Sequence, residues 1–323
     1  MSKKTVWLII AVSLILIGGG IFSFVMSQLN WDFTKLSTSE YVTNSYEIND
    51  SFKNISIDTD TADIVFVPSE NENISVVCYE QKNVKHSVKL KDDALVIELK
   101  DTRKWYECIG INFGASKITV YVPQGEYGEF SVKTSTGDVT IPKTYTFESV
   151  DISVSTGNVK CLASAFGKIK IKSSTGNIRV ENVSADTLDL STSTGKVTAS
   201  NVLCENDVKI KVSTGDTNIT DIKCKNVISN GSTGDMFLEN VIAENMFSIE
   251  RSTGDVKLKS CDAGELYIET DTGDVKGKLL SEKVFITKTD TGKVDVPKTL
   301  SGGRCEITTD TGNIKISVGW YLD

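Results

Sequence analysis

The stretch VKIKVSTGD, residues 208–216, contains the pattern that decides the fold. Val208, Ile210 and Val212 alternate with polar residues, which is the period of two that a half-buried β-strand requires. The strand runs into Ser-Thr-Gly-Asp, a sequence made of turn-forming residues. Glycine adopts a positive φ without steric cost, so Gly215 is the expected turn position. These nine residues predict a strand that ends in a tight turn.

The Thr-Gly dipeptide of this turn occurs ten times along the chain. Successive copies are 19 or 20 residues apart, and apolar residues alternate on both sides of each copy. The residue before Thr is Ser seven times and then Asp three times, and the residue after Gly is always Asp, Asn or Lys. We predict that the ten glycines are structural turn residues: Gly137, Gly157, Gly176, Gly195, Gly215, Gly234, Gly254, Gly273, Gly292 and Gly312.

A unit of this length is too short to bury its own apolar face, so it must stack on its neighbours. Stacking at ~4.8 Å per coil pairs each strand with its copies above and below, and ten coils give a rod of ~50 Å. The sequence therefore predicts an all-β protein with a parallel β-solenoid, or β-roll, of about ten coils of 19–20 residues, each turn directly over the last. Parallel crossovers are generally right-handed. An antiparallel sandwich is the alternative, but it does not need one turn in one register ten times.

An atypical β region precedes the repeats. In the segment DTDTADIVFV, residues 58–67, Ala62 takes the place of the turn glycine, and further alternating strands follow up to residue 122. Residues 105–114 break the alternation and are expected to form a loop. We predict that this region caps the stack, because an uncapped coil leaves unpaired backbone groups open to edge-to-edge aggregation. Residues 319–321 are expected at the far end.

The N-terminus carries a candidate membrane anchor. Lys3 and Lys4 precede an uncharged apolar run, residues 5–26. About 20 residues at ~1.5 Å rise span the ~30 Å hydrocarbon core of a bilayer. A cleaved signal peptide is the alternative, but its apolar region is shorter and ends in a small-x-small site, which is missing here. By the positive-inside rule we expect a single-pass cell-membrane protein with a cytoplasmic N-terminus and an extracellular β domain.

These features divide the chain into six segments. We predict a cytoplasmic tail (1–4), a transmembrane anchor (5–26), a polar tether (27–50), an N-terminal β region or cap (51–130), the β-solenoid repeats (131–318) and a C-terminal tail (319–323). The formal net charge is −8. This charge disfavours nucleic acid as a partner, because such contacts need an excess of Lys and Arg on one face.

Seven cysteines in an outward-facing domain would suggest disulfides. Cys204 and Cys224 share one repeat position on adjacent coils, so they are the one pair that could bridge within the stack. Cys78 and Cys108 lie outside the repeats, and a bridge between them stays open. No cysteine has metal-ligand spacing. Five cysteines occupy apolar or small inward positions and are predicted to be reduced core residues: Cys161, Cys204, Cys224, Cys261 and Cys305.

No catalytic motif stands out. Asp-Thr-Gly at 271–273, 290–292 and 310–312 is the tripeptide of aspartic proteases, but it continues the Ser-Thr-Gly turns in unbroken register. Stacked copies would not place two carboxylates face to face across a cleft, as a shared-proton dyad requires. His86 is the single histidine, and its place in an alternating strand predicts a surface side chain. We therefore expect no enzyme activity, no catalytic residues and no cofactor.

Acidic residues near the later turns form a candidate calcium column. Carboxylates and turn carbonyls are calcium ligands, and like charges ~5 Å apart repel by ~1 kcal/mol in water. Lysines such as Lys196 and Lys293 interrupt the column, and the Gly-Gly-x-Gly-x-Asp nonapeptide of calcium β-rolls is missing. Neutralisation by lysine is therefore the preferred interpretation. The candidate ligands are Asp255, Asp271, Asp274, Asp290 and Asp310.

The segment DTDTADI at 58–64, the run IGINFG at 109–114 and the Ser-Thr-Gly-Asp-Val repeats resemble the "putative adhesin" β-strand-repeat proteins of Gram-positive bacteria, including LiaG-like proteins associated with envelope stress. The resemblance covers roughly residues 1–318. It implies a single-pass bacterial membrane protein with an outward β-stack. It brings no catalytic residues, because the family has no agreed ones.

Three functions follow from these features. The first is a structural or adhesin-like binding module at the cell envelope, which presents ladders of Ser, Thr, Asp and Lys to a wall polymer, a carbohydrate or another envelope protein. The second is an accessory or sensor protein in envelope-stress signalling, which contacts a partner through its anchor or cap. The third, an envelope carbohydrate-active enzyme, would need an open acidic cluster that the regular repeats do not supply.

Overall fold

The computed structural model describes residues 2–32, 40–70, 73–103 and 115–319. One helix, α1 (Lys3–Gln28), precedes 26 strands. The strands are β1 (Tyr41–Ile48), β2 (Asn54–Thr61), β3 (Asp63–Pro68), β4 (Ile74–Gln81), β5 (Val84–Lys91), β6 (Ala94–Asp101), β7 (Lys117–Val122), β8 (Gly125–Thr136), β9 (Val139–Ile141), β10 (Tyr145–Thr156), β11 (Val159–Cys161), β12 (Ser164–Ala165), β13 (Lys168–Thr175), β14 (Ile178–Ala185), β15 (Thr187–Thr194), β16 (Val197–Cys204), β17 (Asp207–Thr214), β18 (Thr217–Thr233), β19 (Met236–Thr253), β20 (Val256–Cys261), β21 (Glu265–Thr272), β22 (Val275–Leu279), β23 (Lys283–Thr291), β24 (Val294–Asp295), β25 (Gly303–Thr311) and β26 (Ile314–Val318).

The strands stack in two columns, one before the turns and one after them. The column before the turns runs β5, β6, β2, β8, β10, β13, β15, β17, β18, β19, β21, β25, β23. The column after the turns runs β1, β4, β7, β3, β9, β11, β14, β16, β18, β19, β20, β22, β26, β24. Pairing from β2 and β3 onward is parallel and in register, apart from single shifts between Cys224 and Asn226 and between Lys259 and Cys261. The predicted parallel β-solenoid of about ten coils is confirmed.

The two columns enclose one apolar core. Because side chains alternate along a strand, the residues seven and five before each turn glycine point inward, as do those two and four after it. Val208 and Ile210 before Gly215, and Ile219 after it, are buried in this way. One continuous cluster of buried side chains runs from Ile55 to Ile316. A single coil contributes only a few of these residues, so each coil depends on its neighbours for burial.

The turn glycines stack on one another through backbone contacts. Gly195 has φ +147°, and a Cβ there would lie 2.1 Å from the carbonyl oxygen of Gly176. Its N–H donates to the carbonyl of Thr214 in the next coil at 2.9 Å. Nine of the ten turn glycines have positive φ, and the same carbonyl contact repeats along the column. Glycine is therefore needed twice, for its backbone conformation and for the close approach.

The residue after each glycine forms a second ladder. The side-chain oxygen of Asp138 accepts the backbone N–H of Asn158 at 2.7 Å, and Asn158 accepts that of Asn177 at 3.0 Å. Asp235 and Asp255 repeat the bond at 2.9 Å. This ladder explains why Asp and Asn dominate the position. A lysine cannot accept a hydrogen bond, so it ends a run of the ladder.

A third ladder lies where the strands that follow the glycines change direction. The residue six after the glycine has positive φ in five successive coils, and its side chains bond across coils: Asn201 Nδ2 donates to Asn182 Oδ1 at 2.8 Å. Asn and Asp tolerate this left-handed conformation better than other residues with a side chain. The five residues are Asn182, Asn201, Asp221, Asn240 and Ser260.

The last two coils exchange places, which corrects the expectation that every turn lies over the preceding one. The coil of Gly312 pairs with that of Gly273, and the coil of Gly292 is outermost. The backbone bonds follow this order: Gly273 N–H donates to the carbonyl of Thr311, and Gly312 N–H to that of Thr291. Lys293 therefore lies at the end of the Asp/Asn ladder, where no further coil needs an acceptor. The outermost coil leaves Ile286, Val294 and other apolar side chains exposed.

The opposite end is closed by antiparallel strands. β2 and β3 form a coil with Ala62 in the glycine place, since Ala62 N–H donates to Thr136 O at 2.9 Å. Strands β5 on β6 and β4 on β7 are antiparallel, and β1 pairs with β4. β1 lies within the segment that the sequence assigns to a polar tether; its Tyr46 and Ile48 alternate with polar residues and pack on the core.

Helix α1 is long and apolar enough to cross a membrane or to serve as a signal anchor. Ser2 caps its first turn by accepting from the backbone N–H of Thr5. Phe22 and Trp31 meet edge to face with their ring centroids 6.5 Å apart. The predicted loop 105–114, the motif at 109–114, Cys108 and residues 320–321 lie outside the described residues.

We expect Gly195→Ala to lower the free energy of unfolding by about 3 kcal/mol, because the new Cβ meets the Gly176 carbonyl oxygen and alanine disfavours this φ. Urea denaturation of the full chain in detergent measures the change. Ser193→Ala, two residues away on the exposed side of the same strand, is the control and should change stability by less than about 0.5 kcal/mol. Equal stability of the two variants would contradict the stacking argument.

Candidate functional site

The outward residues two and four before each turn glycine form a continuous polar surface, which we call the serine face. Two residues before the glycine, serine recurs in seven successive coils and continues as aspartate at the C-terminal end. The register of the strands places each of these hydroxyls over the next. The serines are Ser135, Ser155, Ser174, Ser193, Ser213, Ser232 and Ser252.

Two shallow cavities are lined by serines of the serine face. The larger, of about 650 Å³, is at the cap end, where Asp58 and Asp60 of β2 meet Lys133 and Lys172. Ser135, Ser155 and Ser174 line it between these charges. The smaller, of about 390 Å³, spans the coils of Gly215 to Gly273, and the coil of Gly195 lies between the two cavities. Its polar lining includes Lys211, Ser213, Asn230, Ser232, Glu250, Arg251, Ser252, Glu269 and Asp271.

Charge changes sign along the serine face. Lys133, Lys172 and Lys211 project from the first half of the solenoid. Glu250 and Glu269 take the same position, four before the glycine, in the later coils. Because these positions repeat at ~4.8 Å, the face offers an extended ligand hydroxyls from Ser135 to Ser252, with cations beside the first of them and a carboxylate beside the last.

A buried arginine lies behind the smaller cavity. Arg251 takes an inward position that other coils fill with small residues, and Gly231 in the preceding coil leaves room for its guanidinium. Nη2 donates to Thr217 Oγ1 and Ser229 Oγ at 3.0 Å, whereas Nε and Nη1 have no partner among the described residues. Burial lowers the pKa of Arg251, and Asp216 opposes that shift. Each unpaired buried donor costs about 1–3 kcal/mol.

The five calcium candidates divide between two columns. Asp255 and Asp274 belong to the ladder after the glycines; Asp255 Oδ1 accepts the N–H of Asp274 at 2.9 Å. The backbone N–H of Asn313 and the ammonium of Lys276 lower the pKa of Asp274. Asp271, Asp290 and Asp310 instead continue the serine column and are exposed. In the described ranges, none of the five belongs to a group of three close ligand atoms. Calcium at these residues stays a prediction.

His86 is buried in the cap, which corrects its expected place at the surface. Its Nδ1 lies 2.6 Å from Glu80 Oε2, and its Nε2 lies 2.8 Å from Thr59 Oγ1. The prediction took His86 for an outward residue of an alternating strand. In the structure β5 pairs with β6, and His86 points inward to the facing strand β4. The sequence signal was the polar residue Glu80 at a position that alternation makes inward.

The order hydroxyl, imidazole, carboxylate is also that of a hydrolytic triad. Here Thr59, His86 and Glu80 are 5%, 3% and 0% exposed. The Thr59 hydroxyl is directed at the imidazole inside the cap, so a substrate carbonyl cannot approach it. The arrangement therefore supports a structural or ligand-holding cluster more than a nucleophile.

The described cysteines are buried and free. Cys204 and Cys224, the pair that could have bridged, are both reduced, and so is Cys78. Burial raises the pKa of Cys161 to about 11 and that of Cys224 to about 12. These thiols are core residues rather than nucleophiles.

Comparison with known proteins gives a family and several similar structures. A family model described as Toastrack DUF4097 matches residues 52–226 and 202–320. A "putative adhesin" from Parabacteroides distasonis is 12% identical, with 86% of this chain and 98% of that chain covered and a TM-score of 0.46. A "putative adhesin" from Bacteroides fragilis is 17% identical (87% and 99% covered, TM-score 0.43), and one from Parabacteroides merdae 13% (87% and 98%, TM-score 0.44). No curated protein sequence matches the chain.

We expect Gly231→Ala and Arg251→Thr to be strongly coupled. A Cβ at Gly231 would lie 1.6 Å from Arg251 Nη1, so Gly231→Ala should destabilise the wild type. In the Arg251→Thr background the same change should cost about 2 kcal/mol less, since residues in contact couple by amounts of this size. A double-mutant cycle by urea denaturation measures the coupling, and additive effects would contradict the assigned contact.

We also expect Cys161 and Cys224 to resist iodoacetamide at pH 8 in the folded protein, because both thiols are buried and protonated there. Both should react once the chain is denatured. Mass spectrometry of tryptic peptides measures the modification, and an exposed Ser193→Cys thiol serves as the reactive control. Alkylation of Cys161 before unfolding would contradict its place in the core.

Proposed function

This chain belongs to the Toastrack DUF4097 family, and we propose that it is a non-catalytic, adhesin-like binding module held at the bacterial cell envelope by a membrane anchor. The serine face is the observation that carries this proposal. It repeats one hydroxyl per coil over seven coils, with charged side chains beside the hydroxyls. A regular ladder of this kind suits an extended ligand with its own repeat, such as a wall polymer or another carbohydrate.

Helix α1 supports the anchored location. Its length and apolar composition suit a bilayer span, and Lys3 and Lys4 favour a cytoplasmic N-terminus. The boundaries of the anchor (5–26), the cap (51–130) and the repeats (131–318) remain part of this proposal. So does membership of the Gram-positive, LiaG-like subgroup.

The two cavities of the serine face favour binding over catalysis. Acidic and basic side chains alternate with hydroxyls in both cavities of the serine face, and the carboxylates of the smaller cavity lie beside Lys211 and serines. Glycosidases need two carboxyl groups flanking one bond in an open cleft. The repeat instead sets Glu250 and Glu269 side by side in one column, so both carboxylates would lie on the same side of a bound ligand.

Charge reversal on the serine face tests the proposal. We expect the double variant Lys172→Glu/Lys211→Glu to bind purified cell-wall polymer about tenfold more weakly, which corresponds to ~1.4 kcal/mol. Full-length protein in nanodiscs, with binding measured by cosedimentation, provides the readout. The double variant Lys160→Glu/Lys223→Glu carries the same charge change on exposed positions of the other column and should bind like wild type.

Equal binding by all variants would contradict the serine face as the binding surface. The sensor alternative gives a different pattern: replacing residues 1–50 with an unrelated anchor would abolish an envelope-stress response while serine-face variants respond normally. The binding module is supported if the serine-face variants lose polymer binding and the protein with the replaced anchor still gives a normal stress response.

A further inference from the structure

We propose that Cys78, Glu80 and His86 form a binding site for a zinc-class divalent cation inside the N-terminal cap. The Cys78 sulfur, a Glu80 carboxylate oxygen and a His86 ring nitrogen all lie within 4.8 Å of one another. Among the described residues this is the one group of three or more His, Cys, Asp or Glu side chains that close together. The site is independent of the serine face and of the function proposed for it.

The three side chains come from two facing sheets. Cys78 and Glu80 are two residues apart on β4, so they share its inward face. β4 pairs with β1 and β7, whereas β5, which carries His86, pairs with β6. The two strands pair with each other only at Gln81 and Val84, beside the hairpin turn. A cation bound here would join the two sheets of the cap.

The burial of these groups is unusual for this core. Cys78 and Glu80 are 0% exposed and His86 3%. Elsewhere the inward positions hold apolar residues or hydroxyls, apart from Arg251 and Lys283. A carboxylate and an imidazole buried together require compensation, either from hydrogen bonds alone or from a bound cation. The Cys78 sulfur lies beside this hydrogen-bonded Glu–His pair, and a third possible ligand atom favours the cation.

Neighbouring groups hold the ligands in position, as partners of metal ligands commonly do. Asn44 Nδ2 donates to Glu80 Oε1 at 2.6 Å, and the backbone N–H of His86 donates to Glu80 Oε2 at 2.6 Å. Thr59 Oγ1 lies 2.8 Å from His86 Nε2. Because Nε2 is engaged by Thr59, Nδ1 is the nitrogen that faces Glu80, and a bound cation would take the place of the Nδ1–Glu80 hydrogen bond. Tyr46 donates to the His86 carbonyl at 2.9 Å.

The donor set indicates the kind of cation. Sulfur, imidazole nitrogen and carboxylate oxygen together suit Zn²⁺ and disfavour Ca²⁺ and Mg²⁺, which take oxygen ligands. Binding would release the Cys78 thiol proton to solvent, and the proton between His86 Nδ1 and Glu80 would leave so that Nδ1 can present its lone pair to the cation. The cation replaces both without any redox change. Thr59 would then accept a hydrogen bond from Nε2–H, which fixes the ring.

Cobalt(II) is the probe, because its thiolate complex absorbs in the near ultraviolet while Zn²⁺ is silent. We expect full-length wild-type protein in detergent to bind one Co²⁺ per chain with a thiolate charge-transfer band, and equimolar Zn²⁺ to abolish the band. Cys78→Ser should lose the band. Cys224→Ser, which removes another buried free cysteine, is the matched control and should keep it.

Glu80→Gln tests the site, because its amide oxygen can still accept from His86 while its NH2 donates to Asn44 once the Asn44 amide is reversed. Circular dichroism should show an intact fold, and Zn²⁺ affinity from competition with Co²⁺ should fall by at least about tenfold. A folded wild type without the thiolate band overturns the proposal. So does a band that persists in Cys78→Ser, or an affinity unchanged in Glu80→Gln. If Cys78→Ser fails to fold, the Glu80→Gln affinity alone decides.

Discussion

Successive turn glycines make a close backbone contact, and the rest of the fold depends on it. A carbonyl oxygen lies about 2 Å from where the next glycine would carry its Cβ, as at Gly176 and Gly195. This approach sets the height of every coil and brings the flanking strands into register. When the strands are in register, each side chain lies over one of the same kind in the next coil. Apolar residues therefore meet inside and polar residues outside. The core and the serine face are two results of one spacing.

Most of the fold could be predicted because the Thr-Gly turn that makes this contact recurs ten times in the sequence, 19 or 20 residues apart. The Ala62 coil and the inward cysteines such as Cys161 followed from register alone. The exchange of the coils around Gly292 and Gly312 could not be predicted, because both carry the same Asp-Thr-Gly turn and either order gives matching strands. One signal was present: Lys293 cannot accept a hydrogen bond, which suits a coil with nothing stacked beyond it.

The candidate sites were harder to predict than the fold. The serine column is visible in the sequence, but its division into two cavities depends on how the side chains of neighbouring coils pack. The cluster around His86 was missed because Glu80 and His86 meet only when two sheets face each other across the cap. Arg251 was missed for a related reason: its place is made by the missing side chain of Gly231 in another coil. Contacts between coils of unlike sequence give no periodic signal in the amino-acid sequence.

The exchanged coils restrict how this protein can be made and how it can change in length. The outermost rung is synthesised before the rung that lies beneath it, so the C-terminal end cannot assemble in the order in which it leaves the ribosome or the translocon. Duplication of a repeat within the uniform middle of the rod would lengthen it without disturbing either end. Duplication of the final repeat would add a coil whose open position lies beyond the Gly292 coil, one rung away from the coil that precedes it in the chain. Variation in rod length among related chains should therefore arise from interior repeats.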